Sequence, residues 1–255
     1  PLPQDDVTVS GSSAITLNMP RFGKSVDMSG YTGTMTLTSS TGTYEFYGNM
    51  TLGSGMSWGT SPATFNISAG GRSSYTITSS GKDFFPASTT ASFAISAPNG
   101  TYTLTDALKT KSPASASFNV SAGSFNSANY SIDTGLFWSQ STTTRAVNLG
   151  TSTVTLYAVG GSTILSFAGA GITGSMQNAT FTVLSASAST RTVNTNDVTI
   201  GTFTYTVAGS TGPLSISGNS VFNTLNFSDA TNARTLQISA GMRLAVNSNF
   251  NVSGA

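Results

Sequence analysis

Hydrophobic and polar residues alternate in short segments along most of the chain. Examples are AITLNM (14–19), GTMTLTSS (33–40), STVTLYAV (152–159) and VTIGTFTYTVAG (198–209). A period of two is typical of a β-strand with one buried face, and Gly, Ser, Asn or Pro bounds each segment. The polar positions hold Thr, Ser and Asn, where most proteins place Lys and Glu. No window keeps a helical period over ten residues, so the pattern predicts an all-β protein of about twenty short strands.

Three segments share one plan, with an alternating strand, a Ser-Ala-Gly turn and a second strand after a polar insert. They are FNISAGGRSSYTITSSG (65–81), FNVSAGSFNSANYSIDTG (118–135) and LQISAGMRLAVNSNFNVSG (236–254). Repeated units of this size favour a solenoid of stacked turns, which we predict to be a right-handed parallel β-helix over residues 21–255. Residues 1–20 form either its first turn or an N-terminal docking arm; Pro1 and Pro3 favour the arm, because proline cannot donate a ladder hydrogen bond. The alternative fold is a β-sandwich or jelly roll, which also requires only alternation and turns.

Charged residues make up only 7% of the chain, and the formal net charge is +1. The sequence therefore has no basic patch for nucleic acid, and it has no apolar run long enough to insert in a membrane. Cysteine and histidine are absent, which excludes disulfides, Cys or His metal ligands and a Ser-His-Asp arrangement. We expect no cofactor.

In the order of several low-complexity segments, the chain resembles a family of Thr/Gly/Asn-rich repeat proteins of tailed bacteriophages and viral metagenomes. The segments are GKSVDMSGYTGTMTL (23–37), YGNMTLGSGM (47–56), SYTITSSGKDFFP (74–86), GTYTLTDAL (100–108), SAGSFNSANYSI (121–132), TTTRAVNLGTSTVTL (142–156), SGNSVFNTLNF (217–227) and NFNVSG (249–254). Such proteins usually occur as virion appendages or tail-fibre-like proteins. The resemblance implies a virion structural protein with β-helix character, and it brings no catalytic motif.

Three aromatic residues in Gly/Ser-rich segments are candidates for contact with a glycan: Trp58, Trp138 and Phe137. An exposed aromatic ring can stack on a sugar, and neighbouring Asn, Gln or Ser side chains can bond its hydroxyls. The alternative is that these residues fill the core or a subunit contact, where aromatic residues are also enriched.

The nine carboxylates offer few sites for chemistry. A solenoid can bring Asp83 and Asp106 onto neighbouring turns, and a glycan-cleaving tailspike needs two carboxyls at short range. However, an isolated Asp beside Gly, Ser or Thr is typical of a turn. The only adjacent acidic pair, Asp5-Asp6, is too small for a calcium loop. We therefore predict neither catalytic nor metal-binding residues.

Threonines recur at every second position in several segments, including Thr101/Thr103/Thr105, Thr151/Thr153/Thr155 and Thr202/Thr204/Thr206. Flat ranks of outward threonine on a solenoid are one way to bind ice. The spacing between these segments is uneven along the chain, which argues against a regular lattice.

These observations predict a non-enzymatic structural protein on the surface of a tailed-phage virion, as a tail fibre, appendage or capsid decoration. We expect a homo-oligomer, with a trimer favoured, that contacts other virion proteins and a host-surface glycan. The alternatives are an exported prokaryotic surface fibre or adhesin, located at the cell surface, and a glycan-cleaving tailspike.

Overall fold

A computed structural model describes residues 2–18, 22–38, 42–59, 64–86, 90–111, 114–168, 170–207, 209–229 and 235–254. These residues form strands and turns and contain no helix, and the parallel sheets stack as a β-solenoid of about nine turns. The predicted parallel β-helix is therefore confirmed. None of the described residues belongs to a helix that could cross a membrane.

The first half of the described chain contains thirteen strands. They are β1 (Val7–Thr8), β2 (Ile15–Leu17), β3 (Phe22–Gly23), β4 (Val26–Asp27), β5 (Thr34–Leu37), β6 (Thr43–Phe46), β7 (Met50–Thr51), β8 (Ser57–Trp58), β9 (Thr64–Ala69), β10 (Ser74–Thr78), β11 (Thr90–Leu104), β12 (Leu108–Thr110) and β13 (Ser117–Asn126).

The second half contains thirteen more. They are β14 (Ile132–Thr134), β15 (Leu136–Gln140), β16 (Arg145–Asn148), β17 (Thr153–Leu156), β18 (Thr163–Ala168), β19 (Ile172–Thr173), β20 (Thr180–Val183), β21 (Arg191–Asn194), β22 (Thr199–Tyr205), β23 (Leu214–Ile216), β24 (Ser220–Asp229), β25 (Leu236–Ile238) and β26 (Leu244–Gly254).

The strands form three parallel sheets. Sheet 1 has 16 strands, and its main path runs β1-β4-β7-β10-β11-β13-β15-β18-β21-β23-β25. Sheet 2 has seven strands in the order β12-β14-β17-β20-β22-β24-β26, and sheet 3 contains β2-β5-β8. Each turn of the chain therefore adds a strand to one sheet and then to another, and successive turns pair in parallel.

Apolar residues at alternate positions stack into columns inside the solenoid. One column of sheet 2 runs through Val154, Phe181, Phe203 and Leu225, all fully buried. In sheet 1, Phe93, Phe118 and Phe137 stack with ring centroids 5.8 and 5.4 Å apart. The outward positions of the same strands carry Thr, Ser and Asn, as the alternation predicts.

The glycine of the central Ser-Ala-Gly turn (121–123) allows close approach between turns. Gly123 has φ +79°, and a Cβ there would collide with the carbonyl oxygen of Ala97 on the preceding turn. Asn99 occupies the matching bend of β11 with φ 66°, and the ladder between β11 and β13 shifts register at this point. A side chain at position 123 would therefore force two turns apart.

The repeated segments do not stack as their alignment suggests. The sequence match places Phe118 opposite Phe65, but Phe118 pairs with Phe93, and Phe93 pairs with Ile67. The pairing is thus displaced by two residues from the sequence match. A displacement of two keeps the same side chains facing inward, so the core tolerates it.

The described residues within 1–20 belong to the solenoid. Val7 pairs with Val26, and Ile15 pairs with Met35, so β1 and β2 form the first turn. Pro1, Met19 and Pro20 lie outside the described residues. The pairing favours the first-turn alternative over the docking arm.

Candidate functional surfaces

Phe137 lies in the core of the solenoid. It is fully buried, and its ring contacts those of Phe118, Phe167 and Phe181 at centroid distances of 5.4, 5.8 and 6.0 Å. A sugar cannot reach a side chain without exposed surface, so Phe137 is unsuitable as the predicted glycan contact. Phe137 instead fills the core, which was the alternative interpretation of the sequence.

Trp58 also occupies an inward position. It pairs with the buried Met35, and its ring lines a small apolar cavity of about 50 Å³ together with Phe84. Its indole Nε1 donates a hydrogen bond to the carbonyl oxygen of Asp83, at 2.8 Å. Trp58 is thus a core residue that binds one turn to the next.

Trp138 is the only one of the three candidates at an outward position. It lies between the buried residues Phe137 and Ser139 in β15, and it stands in register with Asn119 and Ser166 on the neighbouring turns. Its Nε1 donates to the carbonyl oxygen of Thr163, at 2.7 Å, which fixes the partly buried ring against the core. Trp138 is therefore the one candidate from which a ring face could contact a ligand.

The two carboxylates considered for catalysis both accept backbone hydrogen bonds. Asp106 accepts from the amides of Ser79 and Ser80 at 2.7 and 2.6 Å, and Asp83 accepts from the amide of Phe85 at 3.0 Å. These contacts hold turns of the chain, as expected for Asp in loops. A structural role accounts for both residues.

The acidic pair at the first turn forms local bonds. Asp5 accepts from the amide of Leu2, and Asp6 forms an ion pair with Lys24 at 3.2 Å. Hydrogen bonds from Ser25 and Lys24 lower the pKa of Asp6. Among the described residues, no group of three or more acidic side chains is arranged to hold a metal ion.

The outer face of sheet 2 carries threonines in two parallel columns, which we call the threonine array. In β17, β20 and β22 each strand contributes two threonines separated by one buried residue, and these pair in register with the next turn. Thr224 and Asn226 continue the two columns in β24, and Asn249 and Asn251 do so in β26. The array consists of Thr153, Thr155, Thr180, Thr182, Thr202, Thr204 and Thr224.

The expectation of an irregular threonine arrangement was therefore wrong. Paired threonines of successive turns are separated by 27 residues between Thr153 and Thr180, but by 22 between Thr180 and Thr202. The extra residues lie in the connections outside sheet 2, and the strands themselves stay in register. Uneven spacing along the chain thus becomes even spacing in the sheet.

The hydroxyl groups of the array face solvent. Within the described part of the chain, those of Thr155, Thr182 and Thr202 form no hydrogen bond with another protein atom, and Thr204 Oγ1 accepts from the side-chain Nδ2 of Asn226 at 3.2 Å. β17, β20 and β22 contain no charged residue. The array is an uncharged surface whose hydroxyls remain available to water or to a ligand.

A second set of threonines lies on sheet 1, and we call it the threonine ladder: Thr76, Thr78, Thr103 and Thr105. Thr76 pairs with Thr103, and the hydroxyls of Thr78 and Thr105 are 2.6 Å apart. Thr76 also donates to Asn49 Oδ1 at 3.3 Å, and Thr105 donates to the carbonyl oxygen of Ile77 at 3.4 Å. These hydroxyls bond mainly to neighbouring turns.

A polar groove of about 270 Å³ follows the corner where β11 and β13 bend. Gly100 and Gly123 leave space for it, and Thr101, Ser124 and Thr173 line its wall. Arg145 closes its inner side and is almost fully buried. Its guanidinium donates to the carbonyl oxygens of Ser139, Ser141 and Ala170, and burial lowers its pKa below the ordinary value. Arg145 thus anchors a loop from behind the groove.

Comparison of the chain with protein-family models, with curated proteins and with solved structures finds no match to any of the three. The function is therefore inferred from the geometry of these surfaces and from the order of the sequence segments.

Proposed function

We propose that the chain is a non-enzymatic structural segment of a fibre, appendage or capsid decoration on a tailed-phage virion. The observation that carries the proposal is the apolar surface at both ends of the solenoid. A solenoid turn buries its core face against the next turn, so an open end needs a cover. A chain with two such ends is suited to be one segment of a longer object.

At the first turn, inward side chains remain partly exposed around an apolar cavity of about 160 Å³, lined in part by Val7, Val9 and Ile15. At the last turn, Phe250 continues the buried column of Phe203 and Leu225 but is 49% exposed. Val252 beside it is 60% exposed. Further chain or another subunit would cover both surfaces.

The neutral sides of the solenoid support association of identical copies. Few charges means little repulsion between parallel copies, and closed symmetric assemblies are the usual result when identical chains pack together. We include a homo-oligomer, with a trimer favoured, in the proposal.

The test is cryo-electron microscopy of the particles from which the sequence derives, with the solenoid fitted to the density. The expected result is symmetric density on the virion surface, in which the two end turns contact neighbouring protein. Density on filaments attached to cells, in preparations free of capsids, would instead support the surface-fibre alternative.

The predicted contact with a host-surface glycan belongs to the same proposal and now depends on Trp138. A fixed, outward ring beside amide and hydroxyl side chains suits stacking on a sugar. Trp138→Ala should weaken binding of purified host-surface polysaccharide by about ten-fold, which corresponds to about 1.4 kcal/mol. Tyr130→Ala, at another exposed aromatic, is the matched control. Equal binding by the two variants would remove the glycan contact and leave the structural role intact.

A further inference from the structure

We propose that the threonine array is an ice-binding surface. This inference does not depend on where the protein is located, because it concerns only the outer face of sheet 2. The ligand is the ordered oxygen lattice of ice, met by the array as a whole rather than by a single pocket.

The spacing of the array follows from strand geometry. Parallel strands lie about 4.8 Å apart, and side chains two residues apart in a strand are separated by about 6.6 Å. The two columns and successive turns therefore form a rectangular grid of hydroxyl and methyl groups. Oxygen atoms on the prism faces of ice repeat at two distances close to these.

Available hydroxyls are more numerous in the array than in the threonine ladder. The hydroxyls of Thr155, Thr182 and Thr202 make no hydrogen bond to protein within the described residues, whereas the hydroxyls of Thr78 and Thr105 on sheet 1 bond to each other. Threonine is restricted at χ1, so each side chain holds its methyl and hydroxyl groups in few orientations. The array can therefore order water at its surface with little loss of side-chain freedom.

A buried aromatic core supports the array from behind. Phe181 and Phe203, each between two array threonines, are fully buried and pair in register. The absence of charge in β17, β20 and β22 also matters, since a charged group orders water around itself rather than in the pattern of ice.

A solid lattice suits this surface better than a dissolved sugar does. A single threonine hydroxyl gains little from a new partner, because it exchanges one hydrogen bond with water for another. Only a ligand that meets many positions at once can overcome the loss of freedom on binding. Ice presents such a repeating set of partners.

The test measures how much of the purified protein enters a slowly growing body of ice, together with the freezing hysteresis of the solution. Thr182→Tyr places a bulky ring at the centre of the array, and Thr103→Tyr places the same ring on the threonine ladder. Both positions face outward, and tyrosine is well accepted in strands, so both variants should fold. Circular dichroism and the melting temperature check this, and Thr202→Tyr is the second array variant.

The unmodified protein should enter the ice, and Thr182→Tyr should lower the ice-bound fraction about ten-fold while Thr103→Tyr leaves it unchanged. Exclusion of the unmodified protein from ice, or equal effects of the two substitutions, would overturn the proposal. If Thr182→Tyr does not fold, Thr202→Tyr replaces it in the same measurement and should lower the ice-bound fraction in the same way.

Discussion

The threonine ladder of sheet 1 and the threonine array of sheet 2 share one sequence pattern, in which threonine alternates with a buried residue. In the ladder, the hydroxyls of Thr78 and Thr105 on successive turns bond to each other, and Thr105 also donates to the backbone. In the array, Thr155 and Thr182 stand in the same register without such a bond within the described residues. The pattern therefore fixes which side chains face outward, but neighbouring turns decide whether those side chains serve the fold or face a ligand.

The largest expected change in the free energy of unfolding comes from removing a buried side chain behind the array. Phe181 is fully buried and contacts Phe137 and Phe167, with ring centroids at 6.0 and 6.4 Å. Phe181→Ala should lower the free energy of unfolding by about 3–5 kcal/mol, because it leaves a cavity in the core. Denaturant unfolding measures this change.

Phe250→Ala is the control, since Phe250 lies in the same column but is 49% exposed. Its loss should cost about 1 kcal/mol or less. Similar losses for the two variants would show that an additional layer covers the last turn in solution.

A buried tyrosine lies behind the ladder at a position where the array has a buried phenylalanine. Tyr102 lies between Thr101 and Thr103, where Phe203 lies between Thr202 and Thr204. Burial raises the pKa of Tyr102 from 10.0 to about 12, although its hydroxyl accepts a hydrogen bond from the amide of Gly71, at 3.1 Å. A raised phenol pKa stabilises the folded state fully below pH 10, and this stability is lost as the pH rises towards about 12.

Tyr102→Phe should therefore flatten the fall in unfolding free energy between pH 10 and pH 12 by about 2 kcal/mol. At neutral pH it should cost about 1 kcal/mol, because the hydroxyl's hydrogen bonds with the amide of Gly71 and the carbonyl oxygen of Phe46 are lost. Urea titrations at a series of pH values measure both effects, with the exposed Tyr130→Phe as control. An unchanged slope in Tyr102→Phe would mean that the phenol ionises as readily in the folded protein as in the unfolded chain.

The smallest expected effect is the coupling between threonine hydroxyls on successive turns, which should differ between the ladder and the array. A double-mutant cycle of Thr78→Val and Thr105→Val should give a coupling energy of about 0.5–1 kcal/mol, because the two hydroxyls bond to each other. The same cycle for Thr155→Val and Thr182→Val should give about zero. A coupling of equal size in the array would show that its hydroxyls bond across turns and would weaken the ice proposal.

The sequence predicted the strands and their faces, because alternation acts over a few residues and directly determines burial. Phe137 illustrates the limit for the site: its position in a Gly/Ser-rich segment suggested exposure, but only the stacking of turns shows that Phe118 and Phe167 enclose it. The array escaped prediction for a related reason. Distance along the chain between Thr153 and Thr180 includes connections that do not contribute to distance in the sheet.

The register in which the repeated segments stack could also not be predicted from the sequence. Phe118 faces inward whether it stacks, two turns away, in line with Phe65 or with Ile67, so hydrophobicity does not separate the two arrangements. The bend at Asn99 and the close approach at Gly123 likewise depend on contacts between turns, which a single segment of sequence does not contain.

The parallel pairing of successive turns has a mechanical consequence. The strands run across the long axis of the solenoid, and their hydrogen bonds run along it. A pull on one chain end would first break the hydrogen bonds between the end turn and its neighbour, so the solenoid would open turn by turn from that end. Compression or bending would instead press the packed aromatic columns together, where interiors yield little. The solenoid should therefore resist compression better than it resists unwinding from an end.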